Sequence, residues 1–143
     1  MKIWKVSTTV AVASAVLSAC SATSNEGKST KWTETLQKHE LMLAYAPQTH
    51  KVAMGCFPTK LQVILAKLNH KYGKKVIITS GYRPHAGHSQ HAFCKAADIR
   101  IPGVKGTEIA KFARSIEGIG GVGTYCSGIV HVDVGPRRDW HHC

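Results

Sequence analysis

Three polar side chains, widely separated along the chain, constrain the fold more than any other feature of the sequence. They are His91, Asp98 and His131. His91 and Asp98 are too far apart in sequence to share one turn of a helix, and Asp98 lies in a β-rich run over residues 96–101. His131 lies in another β-rich run, over residues 129–134. These side chains can meet only if the two runs form strands that lie side by side in one sheet.

Two imidazoles and one carboxylate are a donor set typical of a catalytic zinc site, which has three protein ligands and leaves a fourth position for water. Zinc lowers the pKa of that water and polarises a substrate carbonyl. The sequence therefore predicts Zn²⁺ bound by His91, Asp98 and His131. Asp133 lies on the same strand face as His131, so it is a candidate for the general base or for a group that orients the ligand. A structural salt bridge is the alternative for Asp133, and His88 is a second candidate for the base.

Apolar periodicity places two helices beside this sheet. The first apolar set is Leu61, Ile64, Leu65 and Leu68, and the second, within residues 107–116, is Ile109, Phe112, Ala113 and Ile116. We expect a further strand at residues 76–79, a loop at 81–87 and a flexible turn at the glycines of 118–123. Few helices beside a small sheet, without regular βαβ alternation, predict an α+β fold with a mostly antiparallel sheet flanked by helices.

The N-terminal residues have the pattern of an export signal. Lys2 and Lys5 precede a short run of small and apolar residues, which is shorter than a membrane-spanning helix. The segment Leu17-Ser18-Ala19-Cys20 resembles the lipobox of bacterial lipoproteins, in which the cysteine becomes the lipidated first residue of the mature chain. An ordinary secretory signal cut near Ala19 or Ala22 is the alternative.

Three parts of the chain follow from this interpretation. We expect a signal peptide over residues 1–19, a lipid anchor at Cys20 with a flexible tether over 20–35, and one domain over 36–143. Ser21 resembles the sorting signal for the outer membrane, so the expected location is that membrane, facing the periplasm.

The formal net charge of +11 favours an anionic partner. Outside the cytoplasm, that partner is expected to be an envelope polymer or lipid head groups and not nucleic acid. The chain is expected to be a monomer. A secreted basic protein that binds DNA or lipid is a second possibility, and its polymer binding would depend strongly on salt.

Four cysteines remain when Cys20 is used for the lipid. They are Cys56, Cys94, Cys126 and Cys143. An even set in an oxidising compartment predicts two disulfides, and three connectivities are open. Cys94 has an alternative use as a zinc ligand, because it follows His91 at ligand spacing. His141 and His142 are expected to be exposed beside a disulfide-bonded Cys143.

Four motifs occur in order along the chain. They are Ser80-Gly81-Tyr82-Arg83, then Ser89 to Asp98, then Gly120-Gly121-Val122-Gly123-Thr124-Tyr125, and last Val130 to Trp140. Together they resemble the zinc D-alanyl-D-alanine carboxypeptidases and murein endopeptidases, to which the hedgehog domain is also related. The resemblance extends over roughly residues 58–140.

This resemblance implies a zinc peptidase that acts on peptidoglycan, with the metal on His91, Asp98 and His131. Arg83 would face a substrate carboxylate or the developing oxyanion. Tyr82 would contact the substrate, and Ser89 would contact either the substrate or a ligand.

Two features depart from the pattern of these peptidases. Cys94 stands where they have glycine, and Gly128 and Ile129 stand where many of them place an acid or a histidine. The second departure leaves open a module of the same fold that binds zinc and peptidoglycan without catalysis.

Overall fold

The computed structural model describes residues 37–143, so the expected signal peptide, the lipid anchor Cys20 and the tether lie outside the described residues. After the α-helical residues 37–43, two further α-helices, one 3₁₀ helix and six strands follow in order. They are β1 (Tyr45–Pro47), α1 (Thr59–Tyr72), β2 (Val76–Ser80), the 3₁₀ helix (Gln90–Phe93), β3 (Ala96–Arg100), α2 (Gly106–Ala113), β4 (Gly121–Tyr125), β5 (Val130–Asp133) and β6 (Arg138–His142). None of the helices in the described part is long and apolar enough to cross a bilayer.

The strands form one mixed sheet in the order β1-β2-β3-β5-β4-β6. The three central pairings are antiparallel, whereas β1 pairs in parallel with β2 and β6 pairs in parallel with β4. The predicted α+β class is therefore confirmed. The sheet is antiparallel at its centre and parallel at both edges, and the runs containing Asp98 and His131 are neighbours, as β3 and β5.

Helices α1 and α2 cover one face of the sheet. The four predicted apolar residues of α1 are fully buried, and they pack in one cluster with the apolar residues of β2, β3 and β5. Helix α2 ends at Ala113, which is earlier than predicted, and Phe112 is only half-buried. Because the helices occupy this face, the side chains at alternate strand positions point to the opposite face, where the polar residues gather.

The predicted turn at the glycines of 118–123 is present at Gly118, which has positive φ, and the prediction was wrong from Gly121 onward, where β4 begins. Gly121 and Gly123 allow neighbouring side chains to pack closely against the backbone of β4. A Cβ atom at Gly121 would collide with the Asp133 carboxylate, and one at Gly123 would collide with the Trp140 indole. Strand β6, which carries Trp140, was not predicted from the sequence at all.

Two disulfides link Cys56 to Cys94 and Cys126 to Cys143. The prediction of two disulfides is thereby confirmed, and the Cys94 sulfur is bonded to sulfur and not free to ligate metal. Cys94 has a φ of 58° and is the one non-glycine residue with positive φ in the described chain. A glycine at this position would adopt the left-handed conformation without strain.

We expect the residue at position 94 to affect stability in two separable ways. Loss of the disulfide, which joins residues 38 apart, should cost about 2–4 kcal/mol in free energy of unfolding. Of two variants without the disulfide, Cys56→Ser/Cys94→Gly should be more stable than Cys56→Ser/Cys94→Ala by about 1–2 kcal/mol, because glycine tolerates positive φ. Urea denaturation of the pair measures this difference. Equal stabilities would show that the left-handed conformation carries no cost here.

Candidate metal centre

Three elements bring the predicted ligands together on the face of the sheet opposite the helices. Asp98 on β3 lies directly across from His131 on β5. His91 comes from the 3₁₀ helix, where Ser89 caps the N-terminus by accepting a hydrogen bond from the His91 backbone N–H (3.4 Å). The Arg83 backbone N–H donates to the His91 carbonyl (3.1 Å), which ties the preceding loop to this helix.

The donor atoms of the three side chains form a nearly equilateral triangle. Asp98 Oδ1 lies 3.0 Å from His131 Nδ1 and 3.3 Å from His91 Nε2, and the two nitrogens are 3.2 Å apart. A tetrahedral zinc site with bonds of about 2.0–2.1 Å has ligand atoms about 3.3 Å from each other. The triangle thus has the size of one face of a zinc coordination tetrahedron.

The outer nitrogen of each imidazole has its own partner. His91 Nδ1 is 2.6 Å from the Gly81 carbonyl oxygen, and His131 Nε2 is 3.0 Å from Asp133 Oδ2. Because both partners are acceptors, the protons belong on these outer nitrogens. The inner nitrogens then present lone pairs to each other and to the Asp98 carboxylate, and a cation between them would satisfy all three. The residues present therefore fit a divalent metal, and outer partners of this kind fix ligating imidazoles in known zinc sites.

The electrostatics of the cluster favour a negative carboxylate beside the imidazoles. Burial raises the pKa of Asp98. Where no metal occupies the triangle, an inner nitrogen that carries a proton donates to the carboxylate, and such hydrogen bonds from His131 and His91 outweigh burial and hold that pKa well below its usual range. For His131, burial lowers the pKa, but hydrogen bonds to Asp133 and Asp98 outweigh it and raise the pKa above its usual value. A cation in the triangle would replace the proton that these charges attract to His131.

Asp133 is fully buried, and donors surround its carboxylate. Oδ1 accepts from the backbone N–H groups of Gly121 (2.7 Å) and Gly135 (2.8 Å), while Oδ2 accepts from His131 Nε2 and from the guanidinium of Arg138. Burial raises the pKa of Asp133, but the hydrogen bonds from His131, Gly121 and Gly135 outweigh it and lower the pKa to about 2. The contacts support the ligand-orienting role and the salt bridge, and they give a proton-transfer role no support.

The predicted substrate residues lie at the edge of the triangle. The Arg83 side chain is 51% exposed, and its Nη2 lies 3.8 Å from Asp98 Oδ2. Tyr82 is exposed next to it. His88 is exposed in the same loop, and its role as a base stays a prediction. Ser89 accepts a hydrogen bond from the backbone of His91, which supports its predicted contact with a ligand.

Two residues near the triangle received no role from the sequence. Arg138 pairs with Asp133, and the Trp140 ring lies 4.9 Å from the His131 ring, centroid to centroid. The signal that could have found them was their place in the last of the four motifs. Both lie on β6, whose pairing with β4 depends on contacts distant in sequence.

A second cluster of possible metal donors comprises Cys126, His141 and Cys143. Its two sulfurs are joined in a disulfide, so they offer no thiolate. His141 and His142 are exposed, as expected.

Acidification should release metal from the triangle. His131 must be neutral to offer Nδ1 to a metal, and its pKa is raised, so protons begin to compete above the pH that an ordinary histidine would require. The zinc affinity should be constant above this pKa and fall about tenfold per pH unit below it. Competition with a chromophoric chelator between about pH 8 and pH 5, corrected for protonation of the chelator, measures the affinity. A constant affinity over this range would contradict a ligand role for His131.

Comparison of the sequence with known proteins identifies a family. The sequence model of the family described as Peptidase M15 matches residues 34–133, which include all three side chains of the triangle. Searches of curated proteins and of solved structures found no match. The match extends over more than half of the chain and confirms the resemblance to zinc carboxypeptidases of this type. The chain belongs to the Peptidase M15 family.

Proposed function

We propose that this chain is a zinc metallopeptidase that hydrolyses peptide bonds in the stem or cross-link peptides of peptidoglycan. The observation that carries the proposal is the donor triangle, in which three side chains approach within 3.0–3.3 Å of each other. Peptidases of this family are typically zinc-dependent, and the donor set suits zinc.

Each residue of the site has a defined task in this proposal. His91, Asp98 and His131 would hold the zinc, which supplies Lewis-acid activation of a water and of the scissile carbonyl. Gly81 and Asp133 fix the two imidazole rings through their outer nitrogens. Arg83 is half-exposed beside the triangle, so its guanidinium can stabilise the oxyanion or hold a substrate carboxylate.

The net charge and the N-terminal pattern of the sequence support the substrate class and the location. A formal net charge of +11 favours adhesion to an anionic wall polymer. The export signal and the lipobox at Cys20 would place the domain as a monomer on the outer membrane, facing the periplasmic peptidoglycan. Arg83 and Tyr82 are exposed in the loop beside the triangle, so a polymeric substrate can reach them.

One observation favours a second function, a zinc-containing peptidoglycan-binding module without catalysis. Asp133 is fully buried and bonded to the outer nitrogen of His131. Gly128 and Ile129 have no side chain that can transfer a proton. Under this alternative the zinc would only stabilise the binding surface. The two functions differ in whether peptides leave the wall polymer.

Peptide release from purified murein sacculi tests the proposal. The wild-type chain with zinc should release soluble peptides, and a chelator should abolish the release. His91→Ala removes one donor and should reduce release to the chelator-treated background. His70→Ala removes an exposed histidine at the end of α1 and should release as much as the wild type. A wild-type chain that binds zinc and sacculi but releases nothing would support the binding module.

Arg83→Ala tests the role of the exposed guanidinium. Loss of an oxyanion donor should lower kcat by about 10²–10³-fold, while zinc stays bound because the contacts of the triangle with Gly81 and Asp133 remain. A rise in KM with kcat unchanged would instead indicate ground-state binding of a substrate carboxylate. Arg137→Ala is the matched control, since it removes the same charge from an exposed position beside β6. Wild-type kcat and KM in Arg83→Ala would exclude both roles.

A further inference from the structure

The Trp140 indole flanks His131 because β4 has no side chain between them. In the sheet, Gly123 pairs with His131 on one side and with Trp140 on the other. A Cβ atom at Gly123 would collide with three atoms of the indole. The indole therefore occupies the space of the missing side chain and packs against the His131 ring at a centroid distance of 4.9 Å.

Arg138 acts on the same imidazole through Asp133. Its guanidinium donates to Asp133 Oδ2, the oxygen that also accepts from His131 Nε2. The guanidinium also lies over the Trp140 ring, at 5.4 Å from the centroid. Arg138 and Trp140 thus contact each other, and they restrain His131 from two directions, one polar and one apolar.

Strand β6 forms one edge of the sheet. Among the described strands it pairs only with β4, and four of its five residues are exposed. The disulfide from Cys143 to Cys126 fastens its end to the residue that follows β4. The family model matches the chain as far as residue 133, and Arg138 and Trp140 lie in the last of the four motifs, Val130 to Trp140.

We infer that Arg138 and Trp140 are positioning residues for the metal site, through which β6 holds His131 in the orientation that ligation requires. The inference rests on the proposed zinc site. Outer partners of metal-ligating histidines commonly contribute 10- to 100-fold to metal affinity. Each of the two residues should therefore strengthen zinc binding without touching the metal.

Zinc dissociation constants of full-length variants test this inference. Arg138→Ala and Trp140→Ala should each weaken zinc binding by about 10–100-fold. Trp140→Phe, which keeps an aromatic ring, should recover most of the affinity. Gly123→Ala should weaken binding as Trp140→Ala does, because the added methyl displaces the indole. Arg137→Ala, with the same loss of charge as Arg138→Ala, should bind zinc within about twofold of the wild type.

Thermal unfolding of each variant in chelator separates positioning from general stability. A purely structural role would lower the unfolding temperature of the metal-free protein and leave the zinc dissociation constant of the folded protein unchanged, which would overturn the inference. Wild-type zinc affinity in both Arg138→Ala and Trp140→Ala would overturn it as well. A wild-type chain that binds no zinc would overturn the proposed function itself, so the two failures are distinguishable.

Discussion

The pairing of β3 with β5 is the constraint on which the metal site depends. It sets Asp98 opposite His131 and brings their donor atoms within 3.0 Å. A slip of one residue would turn His131 toward the helices, because side chains alternate between the faces of a strand. The slip is opposed by Val130 and Val132, which are fully buried on the helix side. The hydrophobic core therefore fixes the register, and the register fixes the geometry of the polar cluster on the other face.

The Asp133 carboxylate accepts hydrogen bonds from three neighbouring strands. A buried carboxylate without partners costs several kcal/mol, and here donors from Gly121 on β4, His131 on β5 and Arg138 on β6 satisfy it. One side chain thus connects three strands to a metal ligand. Its complete satisfaction also explains why it suits an orienting role better than proton transfer: a group engaged with this many donors has no free oxygen to exchange a proton with a substrate.

The sequence was sufficient for those parts of the structure that depend on local pattern. Helix α1 follows from the spacing of its three leucines and one isoleucine, and the neighbouring strands follow from the need of Asp98 and His131 to meet. The missed parts depend on contacts between distant residues. Gly121 and Gly123 resembled a turn in the sequence. Their close contacts with the Asp133 carboxylate and the Trp140 indole, which require glycine, cannot be read from the sequence. The choice between two roles for Asp133 needed its burial, which no sequence pattern supplies.

The two disulfides support the metal site from both sides. Cys94 ends the 3₁₀ helix that carries His91, and Cys143 follows the strand that carries Trp140. At position 94 a left-handed conformation costs a non-glycine residue about 1–2 kcal/mol, whereas a disulfide stabilises by about 2–4 kcal/mol. The cysteine therefore gives a net gain over glycine only while the cross-link to Cys56 is formed. Cysteine is therefore the preferred residue at position 94 only where the chain is oxidised. The disulfide that fixes the end of the His91 helix depends in the same way on the oxidising surroundings expected for an exported domain.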